Sequence, residues 1–122
     1  MKKLATSFLF LMLVFLGYSQ DIRIASCASK STLIEGKNAG KIVLHLPQSI
    51  TADEVKENAV YYERTFTVAF DEKSHDATFQ MLVNDANARR VILRFLAASQ
   101  IQSVSVEGKT YSASDFYENF LK

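Results

Sequence analysis

The segment from Arg64 to Val83 constrains the fold more than any other stretch of the chain. Phe66, Val68 and Phe70 alternate with Thr65, Thr67 and Ala69; beyond Asp71–Asp76, Ala77, Phe79, Met81 and Val83 alternate with Thr78, Gln80 and Leu82. A period of two sends successive side chains to opposite faces of a strand. The two arms therefore predict a β-hairpin with one greasy face and one small, mostly polar face, joined by a loop at Asp71–Asp76. An isolated hairpin is marginal in water. The greasy face must be covered by other parts of the chain.

The flanking segments supply that cover. Lys41–Leu46 alternates Ile42, Leu44 and Leu46 against Lys41, Val43 and His45, and Pro47 stops it by lacking the N–H a ladder needs. Thr51 and Glu54 then have the spacing of a capping box, and Ile50 with Val55 that of a hydrophobic staple. Val55, Ala59 and Tyr62 share one face of the helix that follows, which should end near Tyr62. After the hairpin, Asn84 or Asp85 caps a second helix to about Ser99, with Ala88, Val91, Ile92 and Phe95 facing inward. Ile101–Val106 reads as the last core strand, and Glu107-Gly108-Lys109 as a turn. Ser112 with Asp115 caps a short final helix carrying Phe116 and Phe120.

The order β-α-β-β-α-β is two interlocked split βαβ units. The predicted fold class is α+β, a ferredoxin-like sandwich with a short C-terminal helix and the sheet order 4-1-3-2. The sandwich should occupy residues 41–107, with a helical extension at 108–122. Residues 20–40 read as an N-terminal extension or linker: Ile22–Ala25 is at most a short edge strand, and Gly36-Lys37-Asn38-Ala39-Gly40 has the composition of a turn.

At the N-terminus, Lys2 and Lys3 precede an apolar run from Phe8 to Leu16 and the small-x-small triplet Gly17-Tyr18-Ser19. This pattern predicts a secretory signal peptide over residues 1–19. The run is too short for a bilayer span, which takes about 20 residues. The run and its Tyr-Ser-Gln end resemble signal peptides of exported proteins from Bacteroidota, which implies a periplasmic or extracellular address. Cleavage is expected after Ser19 or one residue later; after Ser19 it leaves 103 residues, the size of one small domain. Without Lys2 and Lys3 the charge is 12 basic against 13 acidic residues. Such a balance offers no general attraction to nucleic acid or an anionic membrane. Cys27 has no second cysteine to pair with, so it is a free thiol, an intermolecular bridge or a lipidation site. Ile24-Ala25-Ser26-Cys27 resembles a bacterial lipobox, but Asp21 and Arg23 separate it from the apolar run, which favours simple secretion.

Lys41–Val55 resembles a heavy-metal-associated domain, the ferredoxin-like module of copper chaperones and metal-transport ATPases. In that family a Val-Pro-like strand end leads through Gly-Met-x-Cys-x-x-Cys into the first helix. Here the stretch reads Leu46-Pro47-Gln48-Ser49-Ile50-Thr51-Ala52-Asp53-Glu54-Val55, so Thr51 and Glu54 stand where the two cysteines would be. Soft Cu(I) requires thiolate or thioether ligands, so the resemblance carries the fold and no metal ligand.

The remaining candidate chemistry is thin. Cys27, His45, His75 and Met81 show no short ligand spacing; Met81 reads as core filler and His75 as a solvated loop residue. No nucleophile elbow, phosphate-cradling loop or His-Glu-x-x-His is present, and the chain is read as non-enzymatic, without a cofactor. Arg89, Arg90 and Arg94 read as a solvated helix face. What is left is the open face of the sheet, carrying Val43, His45, Thr65, Thr67, Thr78, Gln80, Leu82, Ser103 and Ser105. It has none of the stacking aromatics that RNA-recognition modules place there, which argues against nucleic acid. The expected function is binding of a protein partner, a second copy or a small ligand on this face. The Phe116/Phe120 helix or the Ile22–Ile34 segment should fold over part of it. The alternative is periplasmic copper or zinc handling through His45 with Cys27 or a second chain.

Overall fold

Each arm of the hairpin becomes a strand because its inward side chains find helices to pack against. The structure, a computed structural model, describes residues 22–122; the expected signal peptide lies outside the described residues. In chain order the elements are β1 (Arg23–Cys27), α1 (Lys30–Ala39), β2 (Lys41–His45), α2 (Ala52–Ala59) with a 3-10 turn at Val60–Tyr62, and the hairpin strands β3 (Phe66–Asp71) and β4 (Asp76–Met81). There follow α3 (Ala86–Arg90), α4 (Ile92–Ala98), β5 (Ile101–Val106), β6 (Lys109–Ser112), and α5 (Ala113–Phe116) running into a π-helical turn at Tyr117–Leu121. This is an α+β fold. The β-α-β-β-α-β order runs from β2 to β5, and the short C-terminal helix is present.

The sheet has six strands in the order β3-β4-β2-β1-β5-β6. Hairpin register pairs Phe66 with Met81, Val68 with Phe79 and Phe70 with Ala77, which puts the apolar side chains on one face. The 4-1-3-2 order is corrected at one place. Strand β1 lies between β2 and β5, antiparallel to the first and parallel to the second. Residues 23–40 therefore form a central strand and a helix in place of an extension. The physical reason is local. Arg23 and Cys27 face the core side with Ala25, so the strand has no run of aliphatics to announce it, and the Arg23 guanidinium is satisfied by the Glu54 carboxylate at 2.9 Å and the Ser99 carbonyl at 2.9 Å.

Helix α1 likewise replaces the expected turn. Ser29 caps it by accepting from Thr32 N–H, and Gly40 ends it at φ 72° in the left-handed conformation that favours glycine. Gly36 sits inside the helix because a Cβ there would stand 2.5 Å from the Lys41 carbonyl oxygen. A side chain would push α1 off β2.

The core face is continuous. Phe66, Phe79 and Phe95 meet edge to face at 5.2–6.5 Å, with Tyr62 stacked on Phe66 at 5.8 Å. Phe116, Phe120 and Leu121 extend the same core. The C-terminal helix is locked there by Arg89, which is buried and donates to the Leu121 carbonyl, the Lys122 carbonyl and Asn84 Oδ1. Two expectations are corrected here. Arg89 is no part of a solvated face, since backbone carbonyls at the chain's end need its fork of donors. The Phe116/Phe120 helix covers the helix side of the sheet and leaves the open face alone. Val83 is exposed as well, because β4 ends at Met81 and the chain turns away to the Asp85 cap, which accepts from Ala88 N–H at 2.7 Å.

Candidate functional site: the open face of the sheet

With the helices on one side, the other side is built from the outward residues of the strands. Cross-strand pairing sets them in rows. Asp71 faces Asp76, Asp76 faces His45, His45 faces Ser26, Ser26 faces Ser105 and Ser105 faces Thr110, so one polar row crosses all six strands. A second row runs Ala69, Thr78, Val43, and a third Thr67, Gln80, Lys41. Beyond β1, Ile24 pairs with Ser103 and Ser103 with Ser112.

The nine residues singled out from sequence thus share a face without forming one uninterrupted patch. Thr65, Thr67, Thr78, Gln80 and Leu82 lie on the hairpin, Val43 and His45 on β2, and Ser103 and Ser105 on β5. Strand β1 separates the last two groups and adds Ile24 and Ser26. Sequence reasoning also missed Asp71 and Asp76, which look like loop charges but terminate β3 and open β4. Their position opposite one another follows from the hairpin register, which the alternating apolar residues already imply.

At the middle of the polar row lies a hollow of about 470 Å³, bordered by Ser26, Cys27, Val43, His45, Asp76 and Ser105. Cys27 and His45, far apart in sequence, both border this depression, although the Cys27 side chain turns to the core side of β1 and packs against the core. His45 Nδ1 lies 3.2 Å from Asp76 Oδ1, with both side chains nearly half exposed. In the neutral ring a proton on Nδ1 donates to this carboxylate, which only accepts, and leaves the Nε2 lone pair for a ligand. The Cys27 thiol donates to the Ser29 carbonyl at 3.5 Å. Among the described residues no group of three His, Cys, Asp or Glu side chains is placed to hold a metal ion.

The other candidates are accounted for by structure. Thr51 Oγ1 accepts from Glu54 N–H at 3.1 Å, completing the cap. Glu54 binds Arg23 through both carboxylate oxygens, at 2.9 and 3.3 Å. Those hydrogen bonds hold its carboxyl below its ordinary value; the Arg23 charge and a Thr51 backbone hydrogen bond reinforce the shift, and partial burial opposes it. Thr51 is thus engaged in capping α2, and Glu54 in holding β1 to it. Met81 is buried core. His75 departs from the solvated reading: its ring packs edge-on to Phe70 at 5.2 Å, and its carbonyl accepts from Leu46 N–H at 2.8 Å. Among the described residues no helix is long and apolar enough to cross a membrane.

No family model, curated protein or solved structure matches the chain.

Proposed function

We propose that this protein is an exported, non-enzymatic binding module that takes a protein or small-ligand partner on the open face of its sheet. One observation carries the reading: the helices gather on the opposite face, leaving a six-strand surface of hydroxyls, amides and short aliphatics, with Lys41, His45, Asp71 and Asp76 among them, uncovered by any described helix. Threonine, serine and glutamine side chains spaced along a rigid sheet give fixed hydrogen-bonding positions at little cost in side-chain entropy. The absence of Phe, Tyr and Trp from the outward rows, and the near-neutral charge, favour such a partner over nucleic acid. The export address rests on the N-terminal pattern of residues 1–19.

The test is cross-linking of the exported chain in its native compartment. Arginine introduced at Thr78 or Ser103 should abolish the recovered partner, and Glu57→Lys on the helix side should leave it unchanged. Equal recovery from all three variants would reject the open face as the binding surface.

A second reading has its own observation, the meeting of Cys27 and His45 at one hollow with Asp76 orienting the imidazole. A metal bound there would take these residues with further ligands from a second chain or solvent. Calorimetric titration with Zn(II), Cu(II) and Cu(I) separates the two. One-to-one binding at micromolar affinity or tighter, lost in His45→Ala, would replace the first reading with metal handling.

A further inference from the structure

The two edges of the sheet are unlike. Strand β6 is four residues long, begins at Lys109 and passes directly into the C-terminal helix. Strand β3 is six residues long, contains no proline, glycine, lysine or bulge, and pairs with no described strand on its outer side. Natural sheets rarely leave an edge of this composition bare.

Its backbone groups can be assigned. Leu82 N–H donates to the Thr65 carbonyl at 3.0 Å, so the odd-numbered residues bond to β4. Phe66, Val68 and Phe70 therefore turn their N–H and C=O groups outward. Their side chains point to the core side, where Val68 and Phe70 remain only partly buried. They border an apolar groove of about 470 Å³ against Val55, Ala59 and Val60 of α2 and its 3-10 turn.

We propose that a second copy of this chain pairs with this edge, β3 against β3 in antiparallel register about a two-fold axis at Val68. The even-numbered outward groups then meet one another: Phe66 opposite Phe70 of the second copy, Val68 opposite Val68, about six hydrogen bonds in all. The same register lays the Val68 and Phe70 side chains of the second copy along the groove beside α2. Charge selects the register. Arg64 precedes the strand and Glu72 follows it, and among the described residues neither has an ion-pair or hydrogen-bond partner for its side chain. In this pairing Arg64 of each copy stands opposite Glu72 of the other, twice across the axis. The two open faces would join into one twelve-strand surface. The inference does not depend on what that surface binds.

Sedimentation equilibrium of the purified protein provides the test. A concentration-dependent dimer is expected. Val68→Pro should leave the circular dichroism unchanged and the protein monomeric, because the N–H it removes faces solvent in the monomer. Arg64→Glu and Glu72→Arg should each weaken the dimer by about tenfold, and the double reversal should restore it to within about threefold. A protein monomeric at every concentration, a dimer indifferent to these substitutions, or a double variant as weak as the singles would overturn the proposal.

Discussion

Single residues decide how closely the layers approach. Gly36 is the clearest case, since its missing Cβ is what lets α1 lie on the first residues of β2. Alanine would gain about 1 kcal/mol of helix propensity at that position but must displace a backbone carbonyl, at an overpacking cost of about 1–3 kcal/mol. Gly36→Ala is therefore expected to destabilise the protein by about 1–2 kcal/mol, visible as a lower urea midpoint with an unchanged slope. A variant as stable as the parent would mean that α1 can shift at no cost. Arg89 shows the opposite use of a residue. Its buried fork satisfies two carbonyls of the last turn, which a helix terminus otherwise leaves unpaired. Neither role is visible in sequence, where a glycine among polar residues suggests a turn and an arginine on a helix suggests solvent.

At the scale of elements, the Arg23–Glu54 pair joins β1 to the start of α2, and Arg23 also reaches the carbonyl that follows α4. Because the folded carboxyl titrates below its ordinary value of 4.5, the pair's contribution is complete above that value and is lost as pH falls through the lowered one. Glu54→Gln should cost on the order of 1 kcal/mol at pH 7, discounted for the partial exposure of the carboxylate. The difference between parent and variant should shrink as pH falls below 4.5 and through the lowered value, measured by urea unfolding across that range. A difference that persists in acid would assign the loss to packing in place of charge.

Across the whole molecule, what the sequence disclosed depended on how many apolar residues each element commits to one face. The hairpin commits six to its inner face, and its register was legible; so were the caps at Thr51 and Ser112, where a short polar side chain precedes the helix, and the cap of α3 to within one residue, Asn84 or Asp85. Strand β1 commits only Ala25 among fully buried residues, and its other inward positions are Arg23 and Cys27. A strand of that kind is defined by its neighbours, so it was legible only as an optional edge. The open-face residues could be named because they are the complement of a legible inner face. Their interruption by Ile24 and Ser26, and the row through Asp71 and Asp76, required the pairing itself.

The placement of β1 also sets an order of events. Ala25 pairs with Val104, so the middle of the sheet is closed by residues almost eighty positions apart, whereas β3–β4 and β5–β6 are local hairpins. Loop-closure entropy makes such a pairing slow, and a chain whose hairpins form early must wait for its first strand to seal the gap between β2 and β5. Ala25→Gly should accordingly speed unfolding with little effect on the folding rate, the reverse of Phe79→Leu in the hairpin, when both are followed by stopped-flow kinetics. A pronounced slowing of folding by Ala25→Gly would show that the seam forms early. In that order of events the chain before the seam closes would consist of two partial sheets, each presenting a row of unpaired amides and carbonyls. The interval in which this protein is most open to mispairing is therefore set by the arrival of its N-terminal residues.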